Sequence, residues 1–201
     1  MPEMVALTGA TGFIGREILR SLIGNGYHVR ALTRKPREDE KSIHWVLGDL
    51  NNKTALHQLV RGVDAVIHCA GSVRGSSLED FVRTNVDGTS NLVQAAEHQA
   101  IKPRFLLISS LAAREPELSW YAKSKQMAEQ YVVSYSANSQ WIIFRPTAVY
   151  GQGDRELKPV FNATRHGLLP LVGETSNKIS LLHVDDFVAA IQCWLAMSVP
   201  V

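Results

Sequence analysis

Two cysteines, Cys69 and Cys193, are all that 201 residues contain, too few and too far apart for a disulfide framework or a metal site. They are expected to be buried small hydrophobes, and a reducing cytoplasm is the default compartment. Charge of one sign is also lacking. Lys and Arg number 21 against 19 Asp and Glu, a net +2, and they are scattered. Neither nucleic acid nor an anionic membrane is therefore an expected partner. No apolar run is long enough to span a bilayer, and Thr8 with the glycines after it interrupts the N-terminal run before it resembles a signal peptide. Internal repeats and low-complexity tracts are absent. What remains, 45% hydrophobic and 20% charged residues, is the composition of an ordinary globular protein with one sizeable domain.

Apolar runs rich in β-branched residues recur at Met4–Thr8, His28–Thr33, Ile43–Leu47, Ala65–Cys69, Phe105–Ser109 and Trp141–Phe144. Between them stand residues at helical spacing: Ile14/Ile18/Leu19/Leu22, Leu56/Leu59/Val60, Leu92/Val93/Ala96 and Met127/Ala128/Tyr131/Val132. Strands alternating with helices predict a doubly wound parallel α/β sheet with helices on both faces. The strands read as continuous apolar runs, as strands buried on both sides do. Lys35–Lys41 (KPREDEK) reads as a solvated loop. After Pro146 the rhythm changes. Gly151, Gly153, Pro159, Gly167, Pro170 and Gly173 crowd an irregular stretch before a last helix near Val184–Leu195.

The stretch TGATGFIG, residues 8–15, joins the first strand to the first helix and carries Gly9, Gly12 and Gly15. In an open parallel sheet this turn is the favoured phosphate site. Gly9 permits the tight turn, Gly12 lets a pyrophosphate reach the main chain, and Gly15 lets the helix pack on the strand. Free N–H groups and the helix dipole then meet the negative charge. The dinucleotide is chosen at the end of the second strand, where an acidic residue would hold the ribose 2′-hydroxyl of NAD. Here the chain reads Leu32-Thr33-Arg34-Lys35. Arg34 can take a 2′-phosphate in a bidentate fork with Lys35 as a supporting charge, so NADP(H) is favoured, with NAD(H) the alternative.

Tyr121 and Lys125 stand four apart at the start of a helical stretch, on one face. A neighbouring ammonium is expected to favour the phenolate and make proton transfer by Tyr121 feasible, and Lys125 can also bond the nicotinamide ribose. Ser109-Ser110 closes the preceding strand, where a serine hydroxyl can polarise a carbonyl.

With these landmarks the chain resembles the extended branch of the short-chain dehydrogenase/reductase superfamily, similar to the NAD(P)-dependent epimerase/dehydratase group. TGATGFIG is similar to that branch's glycine motif, and Tyr121–Lys125 to its YxxxK pair. Gly48-Asp49-Leu50 resembles the segment whose Asp meets the adenine, and His68-Cys69-Ala70-Gly71 the small-residue motif after the fourth strand. Asn85 matches the helix asparagine that supports the sheet and active site. Arg145-Pro146-Thr147-Ala148-Val149-Tyr150-Gly151 and His183-Val184-Asp185-Asp186 resemble later landmarks. The resemblance implies a Rossmann-like fold and a catalytic set of Ser110, Tyr121 and Lys125, with Ser109 the fallback serine. It implies a cofactor set of Gly9, Thr11, Gly12, Phe13, Ile14, Gly15, Arg34, Lys35, Asp49, Leu50, Ala70, Gly71, Asn85, Tyr121, Lys125 and Pro146. No metal is implied: His183 with Asp185 and Asp186 reads as an N-cap and first helical turn.

Two departures from the branch stand out. Only 11 positions separate Ser110 from Tyr121, a short connection, and the sequence ends at Val201 where extended members usually continue. Residues 1–150 are thus expected to form the dinucleotide-binding domain. Residues 151–201 form a small substrate-binding part, either incomplete or unusually open, with 151–173 as its mobile wall over the strand ends. Three functions are weighed. The first is an NADP(H)-dependent reductase or dehydrogenase of a carbonyl or alcohol, with Tyr121 as general acid/base. The second is a nucleotide-sugar epimerase or dehydratase, with dehydration disfavoured because Leu111-Ala112-Ala113, not acidic residues, follow the serine. The third is a non-catalytic NADP-binding sensor or scaffold, disfavoured because the Tyr–Lys pair is kept. The expected partner is a small-molecule substrate, with a homodimer as a compatible assembly.

Overall fold

The computed structural model describes residues 3–135, 139–168, 174, 176 and 178–197. Six parallel strands, β1 (Met4–Thr8), β2 (His28–Thr33), β3 (Ile43–Leu47), β4 (Ala65–His68), β5 (Arg104–Ile108) and β6 (Trp141–Phe144), lie in the order β3-β2-β1-β4-β5-β6. The order reverses between β1 and β4, which creates a crevice beyond the carboxyl ends of those two strands.

Alternation along β1 shows why helices cover both faces. Val5 and Leu7 pack with Ile18 and Leu22 of α1 (Phe13–Gly24) and with Phe187 and Ile191 of a C-terminal helix. Ala6, on the opposite face, belongs to a second cluster with Leu56 and Leu59 of α2 (Lys53–Val60). A short helix α3 (Leu78–Phe81) runs through a wider π-helical turn, Val82–Asp87, into α4 (Gly88–Glu97). Leu92 and Val93 of α4 and Val132 of α5 (Trp120–Tyr135) complete that second cluster. The six strands lie within one residue of the sequence-based assignment.

The region after Pro146 holds more order than its glycines and prolines suggest. A second, two-stranded parallel sheet pairs β7 (Ala148–Tyr150) with β8 (Leu181–His183). Between them α6 (Lys158–Arg165) starts with Pro159 in its first turn, where a missing N–H costs nothing, and buries no residue. Gly173 and Pro170 lie outside the described residues. The last helix, α7 (Val184–Ala196), takes His183 as N-cap, its Nδ1 accepting from the Asp185 N–H at 3.3 Å, with Asp185 and Asp186 in the first turn.

One smaller expectation is corrected. Cys193 is exposed, because position 193 falls on the outer side of α7, whereas Cys69 packs against the core. His44 bonds Asp39 at 2.5 Å, and Asp39 also accepts from the Trp45 N–H at 2.7 Å, which orders part of the KPREDEK loop. No helix among the described residues is long and apolar enough to cross a membrane.

Candidate active site

The glycine turn closes on itself at the crevice. Gly9 has φ +74°, a left-handed conformation that favours glycine, and a Cβ there would lie 2.7 Å from the Ala70 nitrogen. A Cβ on Gly15 would sit 2.0 Å from the Gly9 carbonyl oxygen, so only glycine lets α1 start this close to the turn. Gly12 is different. Its N–H donates to the Gly9 carbonyl at 2.9 Å, and that same oxygen, at 3.3 Å, is all an added Cβ would meet. Gly12 is the N-cap of α1, with no side-chain capping bond and no acidic residue in the first turn. The first-turn N–H groups of Phe13, Ile14 and Gly15 have no partner within the helix. An uncapped helix start behind a backbone bare of side chains fits a diphosphate. Thr11 is exposed beside it.

Arg34 and Lys35 follow β2 directly and are exposed, and the Thr33 hydroxyl donates to the Lys35 carbonyl at 2.8 Å, fixing the chain's exit from the strand. Asp49 is exposed and spends Oδ1 on the Asn51 and Asn52 N–H groups. Leu50, by contrast, is buried against Gly88. Ala70 and Gly71 continue from β4, and Gly71 is exposed at the crevice.

On the other side of the crevice α5 presents Tyr121, Lys125 and Glu129, each one turn apart. Lys125 is buried and donates from Nζ to the Ile108 carbonyl at the end of β5, at 2.7 Å. Burial lowers its ammonium to about 8, opposed by the nearby Cys69 and Glu129. At neutral pH it stays charged and keeps protons for further acceptors. Glu129, also buried, accepts two bonds from Arg145 Nε, at 3.0 and 3.1 Å, just past β6. Sequence reasoning missed this pair, although Glu129 continues the four-residue spacing of Tyr121 and Lys125.

The two serines separate cleanly. Ser110 caps a single 3₁₀ turn, Leu111–Arg114, accepting from the Ala112 N–H at 3.2 Å. Its hydroxyl acts on the Tyr121 phenol in the sense that lowers that group's pKa. Ser109 is buried, and its Oγ has no hydrogen-bond partner among the described residues. Two 3₁₀ turns, Leu111–Arg114 and Pro116–Leu118, take up the short Ser110–Tyr121 connection.

Burial raises the Tyr121 phenol above its ordinary value, and the Ser110 hydroxyl pulls the other way. The Lys125 ammonium is turned to the Ile108 carbonyl.

Asn85 is buried in the π-helical turn. Its Oδ1 accepts from the Ser72 N–H at 2.7 Å, and its Nδ2 donates to the Ser72 carbonyl at 3.0 Å and to Ser124 Oγ at 2.9 Å. Pro146 accepts from the Leu111 N–H at 2.9 Å, holding the segment after Ser110 against the end of β6.

The segment after β7 reaches across the crevice. A Gly153 Cβ would lie 3.2 Å from Arg16 Nη2 of α1, and Glu156 pairs with Arg74, beyond β4, at 2.8 Å. Behind it opens a cavity of about 570 Å³ whose lining includes Arg16, Tyr150, Arg155, Lys158, Phe161 and His183. A smaller cavity of about 170 Å³, lined by residues of α2 and α4, lies away from Tyr121 and Lys125.

The family model for the NAD dependent epimerase/dehydratase family matches residues 5–200. Ceramide reductase of Caulobacter vibrioides is 41% identical over 191 residues, covering 92% of this chain and 59% of the relative. The 2-alkyl-3-oxoalkanoate reductase of Stenotrophomonas maltophilia is 31% identical over 219 residues, 96% of this chain and 64% of the relative. UDP-glucose 4-epimerase of Vibrio cholerae is 29% identical, and its alignment covers 94% of this chain and 65% of that protein. The chain thus spans about three-fifths of the length of these relatives. Among solved structures, MoeE5 in complex with UDP-glucuronic acid and NAD superposes with a TM-score of 0.82 at 26% identity, over 98% of this chain and 73% of that one.

Proposed function

The chain belongs to the NAD dependent epimerase/dehydratase family, and on that premise we propose an NADP(H)-dependent oxidoreductase of the extended short-chain type. It acts on a carbonyl or alcohol carbon, with Tyr121 as general acid/base. The observation that carries this reading is Lys125, buried one turn beyond Tyr121 on α5 and bonded to the Ile108 carbonyl at the carboxyl end of β5.

Gly9, Thr11, Gly12, Phe13, Ile14 and Gly15 hold the diphosphate on uncapped N–H groups. Arg34 and Lys35 take the 2′-phosphate, Asp49 faces the adenine, and Ala70, Gly71 and Pro146 line the path toward Tyr121. Leu50 and Asn85 shape this path from beneath, since both are buried. When bound, the nicotinamide supplies hydride exchange with the substrate carbon. The chain's own residues handle the proton. Ser110 spends its oxygen on the Ala112 N–H and keeps its proton for Tyr121 or a substrate carbonyl. Tyr121 gives its proton to the developing alkoxide, or takes one from an alcohol. Lys125, charged at neutral pH, holds the floor of the site at Ile108 and offers its remaining protons to the cofactor ribose. Residues 1–150 form the dinucleotide-binding domain and residues 151–201 contribute to the substrate side.

Two of the relatives are named reductases of oxo compounds or ceramide, which favours net reduction. The epimerase reading has its own support in the Vibrio cholerae relative and in MoeE5 with its nucleotide sugar and NAD. Balanced charge favours a small-molecule partner, and two cysteines without a disulfide framework favour a reducing cytoplasm. A panel of ketones and aldehydes assayed by NADPH oxidation, beside UDP-sugars assayed for interconversion, separates the two. Stoichiometric NADPH consumption is expected; interconversion with no net change in the cofactor would favour the epimerase.

A further inference from the structure

His68 ends β4, directly opposite Thr8 at the end of β1, and is fully buried. Its ring bridges two hydroxyls, with Nδ1 2.6 Å from Thr8 Oγ1 and Nε2 2.9 Å from Thr89 Oγ1. Counting protons fixes the direction of every bond. The Thr89 hydroxyl has one proton, and it goes to the Asn85 carbonyl at 2.6 Å, an oxygen that can only accept. Toward His68, Thr89 must therefore accept, so Nε2 carries a hydrogen. Thr8 Oγ1 already accepts from the Ala70 N–H at 3.1 Å and donates its own proton to Nδ1. A second ring proton on Nδ1 would leave the Thr8 proton without an acceptor. Burial, with the Lys125 charge adding to it, also keeps the ring neutral by lowering its pKa to about 3.

The ends of this chain of bonds lie in two different parts of the site. Thr8 precedes Gly9, and Ala70 packs against it. Asn85 holds Ser124 Oγ, which donates in turn to the Tyr121 carbonyl at 2.8 Å. We propose that His68, as the neutral Nε2–H tautomer, is a positioning residue that ties the glycine turn to the helix carrying Tyr121 and Lys125. The inference rests on the proposed role of those two residues. His68 touches neither substrate nor cofactor; its work is to hold the distance between the turn and the proton donor.

The test uses the full chain. Nitrogen-15 NMR of the histidines should show one ring with Nε2 protonated and Nδ1 bare, unchanged over about pH 5 to 8, where an ordinary histidine titrates. A protonated Nδ1, or titration in that range, overturns the proposal. Thr89→Val keeps the shape and removes one link. It should lower kcat by about 10-fold to 10²-fold, as a small misplacement of reacting groups does, with NADPH Kd and substrate KM within about twofold. His68→Phe should do the same where it folds, and His68→Gln, which keeps a neutral donor and acceptor, should recover most of the rate. Unchanged kcat in Thr89→Val, or a loss shared equally by kcat and cofactor affinity, overturns it. A wild-type chain without turnover contradicts the oxidoreductase reading alone. Amide exchange at Ser124 and Lys125 then decides: faster in Thr89→Val supports the tie, unchanged rates overturn it.

Discussion

The ammonium of Lys125 donates to the main-chain carbonyl of Ile108 at 2.7 Å, anchoring α5 to the carboxyl end of β5 one turn beyond Tyr121. A tyrosine there is held at a strand end by its neighbour's bond. The next turn repeats the device, with Glu129 gripping Arg145 after β6. Two strand ends are thus fastened to the face of α5 that carries Tyr121.

Lys125 should leave a signature in stability against pH. Its folded value of about 8 lies below the ordinary 10.5, so the unfolded chain binds the proton more tightly between those values. Stability from this group therefore rises with pH across that window. Cys69 acts in the opposite sense, because burial pushes its thiol from 9.0 up to about 12 and stability falls above the lower value. The Lys125 effect is clearest between them, at about pH 8 to 9. Urea unfolding should show wild type gaining about 1 kcal/mol on Lys125→Met there. A pH-independent difference would contradict the buried ammonium.

Tyr121→Phe removes only the hydroxyl. Turnover should fall by about 10²–10⁴ while NADPH affinity holds. Undiminished turnover would remove Tyr121 from the mechanism.

The strands and the first helix were legible in the sequence because their signals are local: continuous apolar runs, and three glycines between a strand and an amphipathic helix. The helix carrying Tyr121 and Lys125 was legible too, from the apolar spacing of Met127, Ala128, Tyr131 and Val132. What was hidden depends on contacts distant in sequence. β7 and β8 have three residues each and pair across about thirty intervening positions. Glycine and proline masked α6, whose proline merely occupies the first turn. The His68 network could have been suspected from Thr8 and His68, two polar residues ending neighbouring apolar strands. Its direction needed the position of Asn85.

The serines should part in the same way. Ser110→Ala should cost about 10²-fold in turnover, the order expected for a lost donor at a developing oxyanion. Ser109→Ala should cost far less and leave the melting temperature equal or higher, because the hydroxyl it removes is buried without a partner among the described residues. Equal losses of turnover would contradict the assignment of Ser110.

Two glycines of one helix should move stability in opposite directions. Gly15→Ala forces a Cβ to 2.0 Å from the Gly9 oxygen and should destabilise by about 1–3 kcal/mol or more. Gly24, the last residue of α1, meets nothing within 4 Å, so Gly24→Ala should stabilise by about 0.5–1 kcal/mol. Thermal melts of both variants decide it, and shifts of the same sign would contradict the packing at Gly15.

In the proposed function the β1/β4 crevice holds an NADP(H) whose 2′-phosphate is chosen by Arg34. Calorimetric titration of wild type and Arg34→Asp with NADPH and with NADH tests it most directly. Wild type should bind NADPH more tightly. Arg34→Asp should weaken NADPH by about 10-fold or more, equivalent to about 1.4 kcal/mol, and NADH much less, because it sets a like charge against the phosphate. Equal losses for both dinucleotides, or no binding of either by wild type, would contradict the account.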